Sequence, residues 1–253
     1  MLMTKLIGLL LSLGLSCLLA VDGKRNVWLG IDDDVLPQVA DGGNWTTTIT
    51  LVNLDTAAAQ YQLKFYQSGG QPLTLDFVGI ARGSVVTGTL PVNGSVVIQT
   101  AGAAQTVSQG FAILTRPDYK DVNGYGIFRQ RIPGRSYDFE AVVPFSSNYD
   151  DDYVLPFDNT QGYTTSMAIC NPSDYSSQTV TVAFHDEQGN RFHIDQFTLN
   201  PLEHRAYEMP GNWPQTAGKK GLAVFQVGPY GAPVLGLRFN WTGPFTSTHA
   251  LSR

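Results

Sequence analysis

Two short acidic runs are the first places in this chain where side chains of one type lie close enough together to bind a metal ion. The first run is Asp32–Asp34, and the second comprises Asp150, Asp151 and Asp152, with Asp158 a little further along. Calcium takes several carboxylate and carbonyl oxygens as ligands, so the second run and Asp158 are candidate ligands of a structural calcium ion. The spacing is not that of an EF-hand loop. A solvated acidic turn that discourages strand pairing is the alternative.

A hairpin further along the chain offers a second possible metal site. His185 and His193 flank it, and Asp186 would add a third ligand of a kind that zinc accepts. Ordinary surface histidines are the alternative. The motifs G-x-S-x-G, H-E-x-x-H and the P-loop do not occur in the sequence. The sequence therefore predicts that the protein is not an enzyme and has no cofactor apart from the candidate calcium ion.

Aromatic side chains form the third candidate site. An exposed ring can stack on a sugar, because the C–H groups of a pyranose meet the negative face of an aromatic ring. The alternative is that these rings are buried, where they close the end of a core or cover a strand. The candidates for glycan binding are Trp213, Trp241, Tyr149, Tyr153 and Tyr175.

A repeated motif indicates which elements position these residues. The letters DDDVLP begin at Asp32, and the similar DDYVLP begins at Asp151. The residues that follow agree in order, since WTTTITLVN at Trp45 matches YTTSMAICN at Tyr163, and GFAIL later matches GLAVF. The chain is therefore a tandem duplication of one unit of about 100–120 residues, the usual size of a domain.

Apolar residues alternate with polar ones in both units, as at Ile49 and Leu51 and again at Val180, Val182 and Phe184. A period of two places apolar side chains on one face of an extended strand. Each unit is expected to hold roughly seven to nine short antiparallel strands, and two facing sheets would bury their apolar faces. We place the units at residues 27–148 and 149–253. The short acidic join predicts that they touch end to end.

The arrangement resembles the immunoglobulin-like β-sandwich modules that are repeated in bacterial secreted and surface proteins. The likeness rests on Asn53 or Asn171 closing a strand, on the alternating strand and glycine hairpin that follow, and on a Gly-led apolar strand. The Cys…Trp…Cys core of antibody domains is missing. The resemblance implies an all-β fold of two tandem sandwiches and a role in binding, spacing or assembly.

The first 20 residues have the features of a secretory signal peptide, because Lys5 precedes an apolar run that ends at Ala20. A secreted, periplasmic or cell-surface location is therefore expected. Cys17 is a minority candidate for lipidation, which would make the protein an outer-membrane lipoprotein and would be its only contact with a membrane. Cys170, the only other cysteine, is expected to be a buried small side chain.

The partner is expected to be a protein or a glycan at the cell surface. Nucleic acid is not expected, because the net charge is −5 and no basic cluster is evident in the sequence. The leading hypothesis is a non-catalytic exported surface, adhesion or assembly module. The protein would polymerise if each molecule donated the segment Lys24–Gly30 as a strand to a neighbouring molecule. The alternatives are a carbohydrate-binding protein and a hydrolase of unrecognised type.

Overall fold

The computed structural model describes residues 33–147, 150–228 and 230–253. The predicted signal peptide at residues 1–20, Cys17, Lys24–Gly30 and Tyr149 lie outside these ranges. The structure is about 59% strand and 3% helix, which confirms the predicted all-β class. None of the helices within the described ranges is long and apolar enough to cross a bilayer.

Within the described residues, eight strands form the first half of the structure and nine form the second half. The first half consists of β1 (Asp34–Asp41), β2 (Trp45–Asn53), β3 (Ala59–Gln67), β4 (Val85–Leu90), β5 (Ser95–Gln99), β6 (Ser108–Thr115), β7 (Val122–Gln130) and β8 (Phe139–Pro144). The second half consists of β9 (Asp152–Asp158), β10 (Tyr163–Cys170), β11 (Gln178–Asp186), β12 (Arg191–Leu199), β13 (His204–Glu208), α1 (Met209–Asn212), a 3-10 turn (Pro214–Thr216), β14 (Lys220–Val227), β15 (Val234–Asn240), β16 (Phe245–His249) and β17 (Leu251–Ser252).

The strands form four antiparallel sheets, and the two halves use the same strand order. The sheets of the first half are β1-β6-β3-β4 and β5-β2-β7-β8. Those of the second half are β12-β11-β14-β9-β17 and β13-β10-β15-β16. The second half therefore repeats the first strand by strand, with β17 added beside β9. In each half, apolar side chains from both sheets meet in one core, which makes each half a β-sandwich.

The repeated VLP motif places one leucine at the centre of each core. Leu36 on β1 and Leu155 on β9 are fully buried, and each lies opposite an alanine of the neighbouring strand. Both leucines lie against a glycine of the facing sheet. A Cβ added to Gly126 would meet Leu36 at 3.0 Å, and one added to Gly236 would meet Leu155 at 2.5 Å. The missing side chain on one sheet thus makes room for the leucine on the other.

The asparagine that ends β2 and its counterpart on β10 join strands and loops in the same way. Each is buried, and its side-chain Nδ2 donates to three backbone carbonyls, one in the following loop and two at the end of the fourth strand. Asn53 donates to Ala57, Leu90 and Pro91 at 2.8–3.1 Å, and Asn171 donates to Ser176, Leu199 and Asn200 at 2.7–3.3 Å. These matching residues are therefore needed to build the sandwich.

The end of each sandwich where the third strand finishes is closed by an aromatic side chain. In the first half, Phe77 from the β3–β4 connection packs on Phe65 with ring centroids 5.5 Å apart. In the second half, Trp213 packs on Phe184 at 5.1 Å. Trp213 is only 3% exposed, and its indole N–H donates to Asp195 at 2.8 Å. The prediction that Trp213 binds a glycan is therefore wrong, because its ring belongs to the core.

The two halves pack through the outer face of the sheet β13-β10-β15-β16. On β10, Met167 and Ile169 point into the core of the second half, whereas Ala168 and Cys170 face the first half. Cys170 is buried, as the sequence predicted. The predicted end-to-end contact is wrong, because this outer face is apolar and the first half covers it. Cys170 packs in a cluster with Val35, Phe111 and Ile113.

We expect Leu155→Ala to lower the free energy of unfolding by about 2–5 kcal/mol, because the lost methyl groups leave a cavity against Gly236. Leu36→Ala should have an effect of the same size in the first half. Urea unfolding followed by tryptophan fluorescence measures both. Leu251→Ala is the control, since Leu251 is 53% exposed and its loss should change stability by less than about 0.5 kcal/mol. Equal effects at all three positions would contradict the assigned core.

Candidate functional site

The structure separates the aromatic residues that the sequence suggested for glycan binding. Trp241 is 79% exposed in the β15–β16 turn, and Tyr175 is 54% exposed in the β10–β11 loop, at the opposite end of the second half. Tyr153 is buried, and burial raises the pKa of its hydroxyl, which accepts a hydrogen bond from the Asp150 backbone N–H at 2.8 Å. The prediction for Tyr153 is therefore corrected, since its ring is part of the core.

The aspartates suggested as calcium ligands do not come together. Asp152 begins β9 and Asp158 ends it, so roughly 20 Å of extended strand separates them. The Asp158 carboxylate accepts hydrogen bonds from Arg238 and from the hydroxyl of Thr160, both at 2.7 Å. Burial acts to raise the pKa of Asp158, but these hydrogen bonds outweigh it and the pKa is lowered. Asp158 is thus occupied in joining β9 to β15.

Two of the three candidate zinc ligands, Asp186 and His193, are occupied in contacts within their hairpin. The carboxylate of Asp186 accepts hydrogen bonds from the backbone N–H groups of Gln188 and Asn190 in the β11–β12 turn, at 3.0 and 2.8 Å. The ring of His193 stacks on Phe184 with centroids 6.0 Å apart. Across residues 33–147, 150–228 and 230–253, no three His, Cys, Asp or Glu side chains are grouped so as to hold a metal ion.

Two turns from different halves meet at one end of the molecule. A Cβ added to Gly243 in the β15–β16 turn would lie 2.6 Å from the ring of Phe139, which follows the β7–β8 turn. Tyr137 packs on Phe139 with centroids 5.8 Å apart and is 53% exposed. Trp241 lies two residues before Gly243. We use the term hairpin surface for the exposed side chains that these turns and the end of β7 present: Arg129, Arg131, Arg135, Tyr137 and Trp241.

The indole of Trp241 is fixed at its base but open on its outer side. Its backbone N–H donates to the carbonyl of Gly162 at 2.8 Å, and its ring lies against the space where Gly162 has no side chain. Gly162 has a positive φ of 82°, a conformation that favours glycine. An exposed ring that is held in place loses little conformational entropy when it binds a ligand, which suits a contact residue.

The hairpin surface is positively charged, although the net charge of the chain is −5. Arg129 is paired with Asp138, whose carboxylate accepts from Nε at 2.6 Å. Within the part of the chain that the structure describes, Arg131 and Arg135 form no ion pair with a carboxylate. These arginines line an open depression of about 370 Å³, and its other walls are polar or acidic: Asn44, Thr46, Gln99, Ser136 and Asp138.

A second cavity, of about 240 Å³, lies between the two halves. Trp45 and Phe128 of the first half and Tyr207 and Phe239 of the second half contribute its aromatic walls. Gln38 also lines the cavity, and its side chain contacts the buried ring of His204. The aromatic walls belong to the packing between the halves, because Trp45 contacts the β16 strand through Phe245 with ring centroids 5.3 Å apart.

His204 is a deeply buried titratable side chain at the contact between the halves. It is 1% exposed, its Nε2 lies 2.6 Å from Oε1 of Gln38, and its Nδ1 lies 3.2 Å from the hydroxyl of Ser68. A neutral ring that donates from Nε2 and accepts at Nδ1 satisfies both contacts. Burial lowers the pKa of His204 to about 4. The neutral histidine therefore joins the second half to two residues of the first.

Comparison of the chain with known proteins finds no matching protein-family model, no matching curated protein and no matching solved structure. The function is therefore inferred from the side chains themselves.

One signal for the hairpin surface was present in the sequence. The first unit has FRQRIPGRSYDF at Phe128, whereas the second unit has the shorter LRFNWTGPF at Leu237. Arg131 and Arg135 thus lie in a turn that is longer in the first copy, and Arg129 lies just before it at the end of β7. The expectation that the chain has no basic cluster is corrected here. The arginines are spaced over several residues, and only the return of the turn brings them around one depression.

The stability of the protein should fall as the pH is lowered from about 6.5 to about 4, because the unfolded state binds a proton on His204 in this range and the folded state does not. The loss should be on the order of 3 kcal/mol across that range. Urea midpoints measured at several pH values test this. His204→Gln, which keeps a polar group there, should remove this component of the pH dependence. An unchanged pH profile in the variant would contradict the assignment.

Proposed function

We propose that this protein is an exported, non-catalytic adhesion module, and that the hairpin surface is where it binds a glycan. The observation that supports it is that Trp241 and Tyr137 present exposed rings on two hairpins that touch at Gly243 and Phe139. Ser136 and Asp138, on either side of Tyr137 in the chain, line a polar depression. Rings stack on sugar faces, and amide, hydroxyl and guanidinium groups bind sugar hydroxyls. The residues that the two copies share are used in building the sandwiches, whereas Arg131, Arg135 and Trp241 belong to one copy each.

We also infer that each half is an immunoglobulin-like sandwich. In that fold, strands A, B, E and D form one sheet and strands C, F and G form the other. Here β2 and β5 share a sheet as B and E do, and β3 and β6 share the other as C and F do. The outer strands differ, since β1 pairs with β6 where G would lie and β7 pairs with β2 where A would lie.

The proposal that the protein is non-catalytic is supported by two titratable groups whose pKa values are shifted but which are fully buried. Burial lowers the pKa of His204 and raises that of the Cys170 thiol, and both side chains are sealed between the halves. Catalytic groups with shifted pKa values need access to a substrate in a cleft. A broad hydrolase screen with purified protein tests this directly, and sustained turnover would replace the proposal with the hydrolase alternative.

Glycan binding should depend on the ring of Trp241. We expect Trp241→Ala to weaken binding to array glycans by about tenfold or more, since one stacked ring contributes on the order of 1–2 kcal/mol. Tyr119→Ala is a matched control, because Tyr119 is 80% exposed and lies on the β6–β7 loop at the other end of the first half. Equal losses in both variants, or no glycan bound by the wild type, would remove the proposal.

Assembly by strand pairing is a second candidate function. The nine-residue strand β12 lies at the edge of its sheet, and Ile194 on it is 53% exposed. An open edge can accept a strand from a neighbouring chain.

If β12 accepts a strand, size-exclusion chromatography with light scattering should show chains of the mature protein, and Thr198→Pro should reduce them to monomers. A form without Lys24–Gly30 would test whether that segment is the donor. Monomers in every sample would end the assembly hypothesis.

A further inference from the structure

We propose that Arg131 and Arg135 bind carboxylate groups, so that the glycan recognised by the hairpin surface is an acidic polysaccharide containing uronate residues. This inference rests on the proposed function and narrows its ligand. A planar guanidinium matches a carboxylate through two parallel N–H···O bonds, which makes arginine well suited to recognise uronates.

The β7–β8 hairpin has a net charge of +1, and both of its acidic residues lie beside the same arginine. Between residues 129 and 140 there are three arginines, one aspartate and one glutamate. Both acidic residues lie near Arg129, with Asp138 bonded to it and the carboxylate of Glu140 3.9 Å from its Nε. Arg131 and Arg135 form no ion pair within the described residues, although both line the depression. An anionic ligand would complete their charge compensation.

The backbone at Arg131 and the side chain of Arg135 are held in place by their neighbours. The Arg131 backbone N–H donates to the carbonyl of Asn44 at 2.8 Å, which ties the hairpin to the β1–β2 turn. The Arg135 guanidinium lies over the Tyr137 ring, 5.5 Å from its centroid, and donates to the hydroxyl of the same tyrosine at 2.6 Å. That bond uses one of its five N–H groups, so the others remain for a carboxylate. Restraint of this kind reduces the entropy lost on binding.

The remainder of the depression fits a sugar better than a simple anion. Asn44, Thr46 and Gln99 contribute amide and hydroxyl groups from two separate segments, and Ser136 adds another hydroxyl. The one carboxylate in the walls, Asp138, is paired with Arg129. A volume of about 370 Å³ accommodates one or two sugar rings rather than a single small ion. A chain that contains uronate residues presents neutral hydroxyl groups and, at some positions, a carboxylate. Neutral polar walls beside two arginines match that pattern.

The second half shows that the free charges are specific to one copy. Its corresponding hairpin carries one arginine, Arg238 on β15, which donates to Asp158 at 2.7 Å and lies 3.5 Å over the ring of Tyr163. That arginine joins strands of its own sandwich and is unavailable to a ligand. The lengthened turn of the first half therefore provides unpaired arginines that the architecture does not need.

The test compares two polymers that differ only in charge, polygalacturonate and its methyl ester, by calorimetric titration of the whole protein. We expect the acid to bind at least tenfold more tightly than the ester, with an affinity that falls as salt is added. Arg131→Gln and Arg135→Gln should each weaken binding to the acid about tenfold, the loss of one charge-assisted contact. Arg191→Gln, an equal change of charge on the distant edge strand β12, should alter affinity less than twofold.

The outcomes separate this inference from the proposed function. Equal binding of acid and ester, or array hits confined to neutral glycans, would overturn the inference and leave glycan binding intact. A single-stranded oligonucleotide of similar charge that binds as tightly as polygalacturonate would also overturn it, because the arginines would then attract any polyanion. Failure to bind either polymer or any array glycan would overturn both this inference and the proposed glycan binding. Thermal unfolding of each variant checks that the fold is retained.

Discussion

The structure depends on one sheet being covered on both of its faces. Alternate residues of β10 serve two different cores, since Met167 and Ile169 fill the second sandwich while Ala168 and Cys170 contact the first half. The residues facing the first half are small, which allows its strands to approach closely. Strand β1 is buried along its whole length for the same reason. The two sandwiches are therefore joined by a face rather than by a flexible linker.

This contact explains how a surface can be assembled from both copies. The face-to-face packing brings β8 beside β16, so their preceding turns touch at Phe139 and Gly243, which are more than a hundred residues apart in the chain. An isolated sandwich would present either the arginines or Trp241, but not both. The neutral His204, bonded to Gln38 and Ser68, adds polar specificity to the same contact. The binding that we propose at the hairpin surface would therefore depend on the correct packing of the two halves.

The two copies also show how a duplicated fold keeps a physical requirement while changing the residue that meets it. Each sandwich needs an aromatic plug on the phenylalanine of its third strand. Phe77 from a long β3–β4 connection plugs one copy, and Trp213 from the segment around α1 plugs the other. A residue without a counterpart in the sequence alignment of the copies can therefore still have a counterpart in space. Because Trp213 has no aromatic counterpart in the aligned sequence of the first copy, the sequence suggested it as a binding residue.

The sequence by itself determined the all-β class, the alternation of the strands and the residues that repeat, because a period of two is a local property of an extended chain. It also predicted a buried Cys170. Tertiary structure alone decided which outer faces are covered, that Tyr153 and Trp213 are buried, that Asp152 and Asp158 are kept apart by β9, and that Gly243 in the β15–β16 turn touches Phe139 of the β7–β8 hairpin. Those outcomes depend on contacts between residues distant in the chain, and no local pattern encodes which of two exposed apolar faces will meet the other.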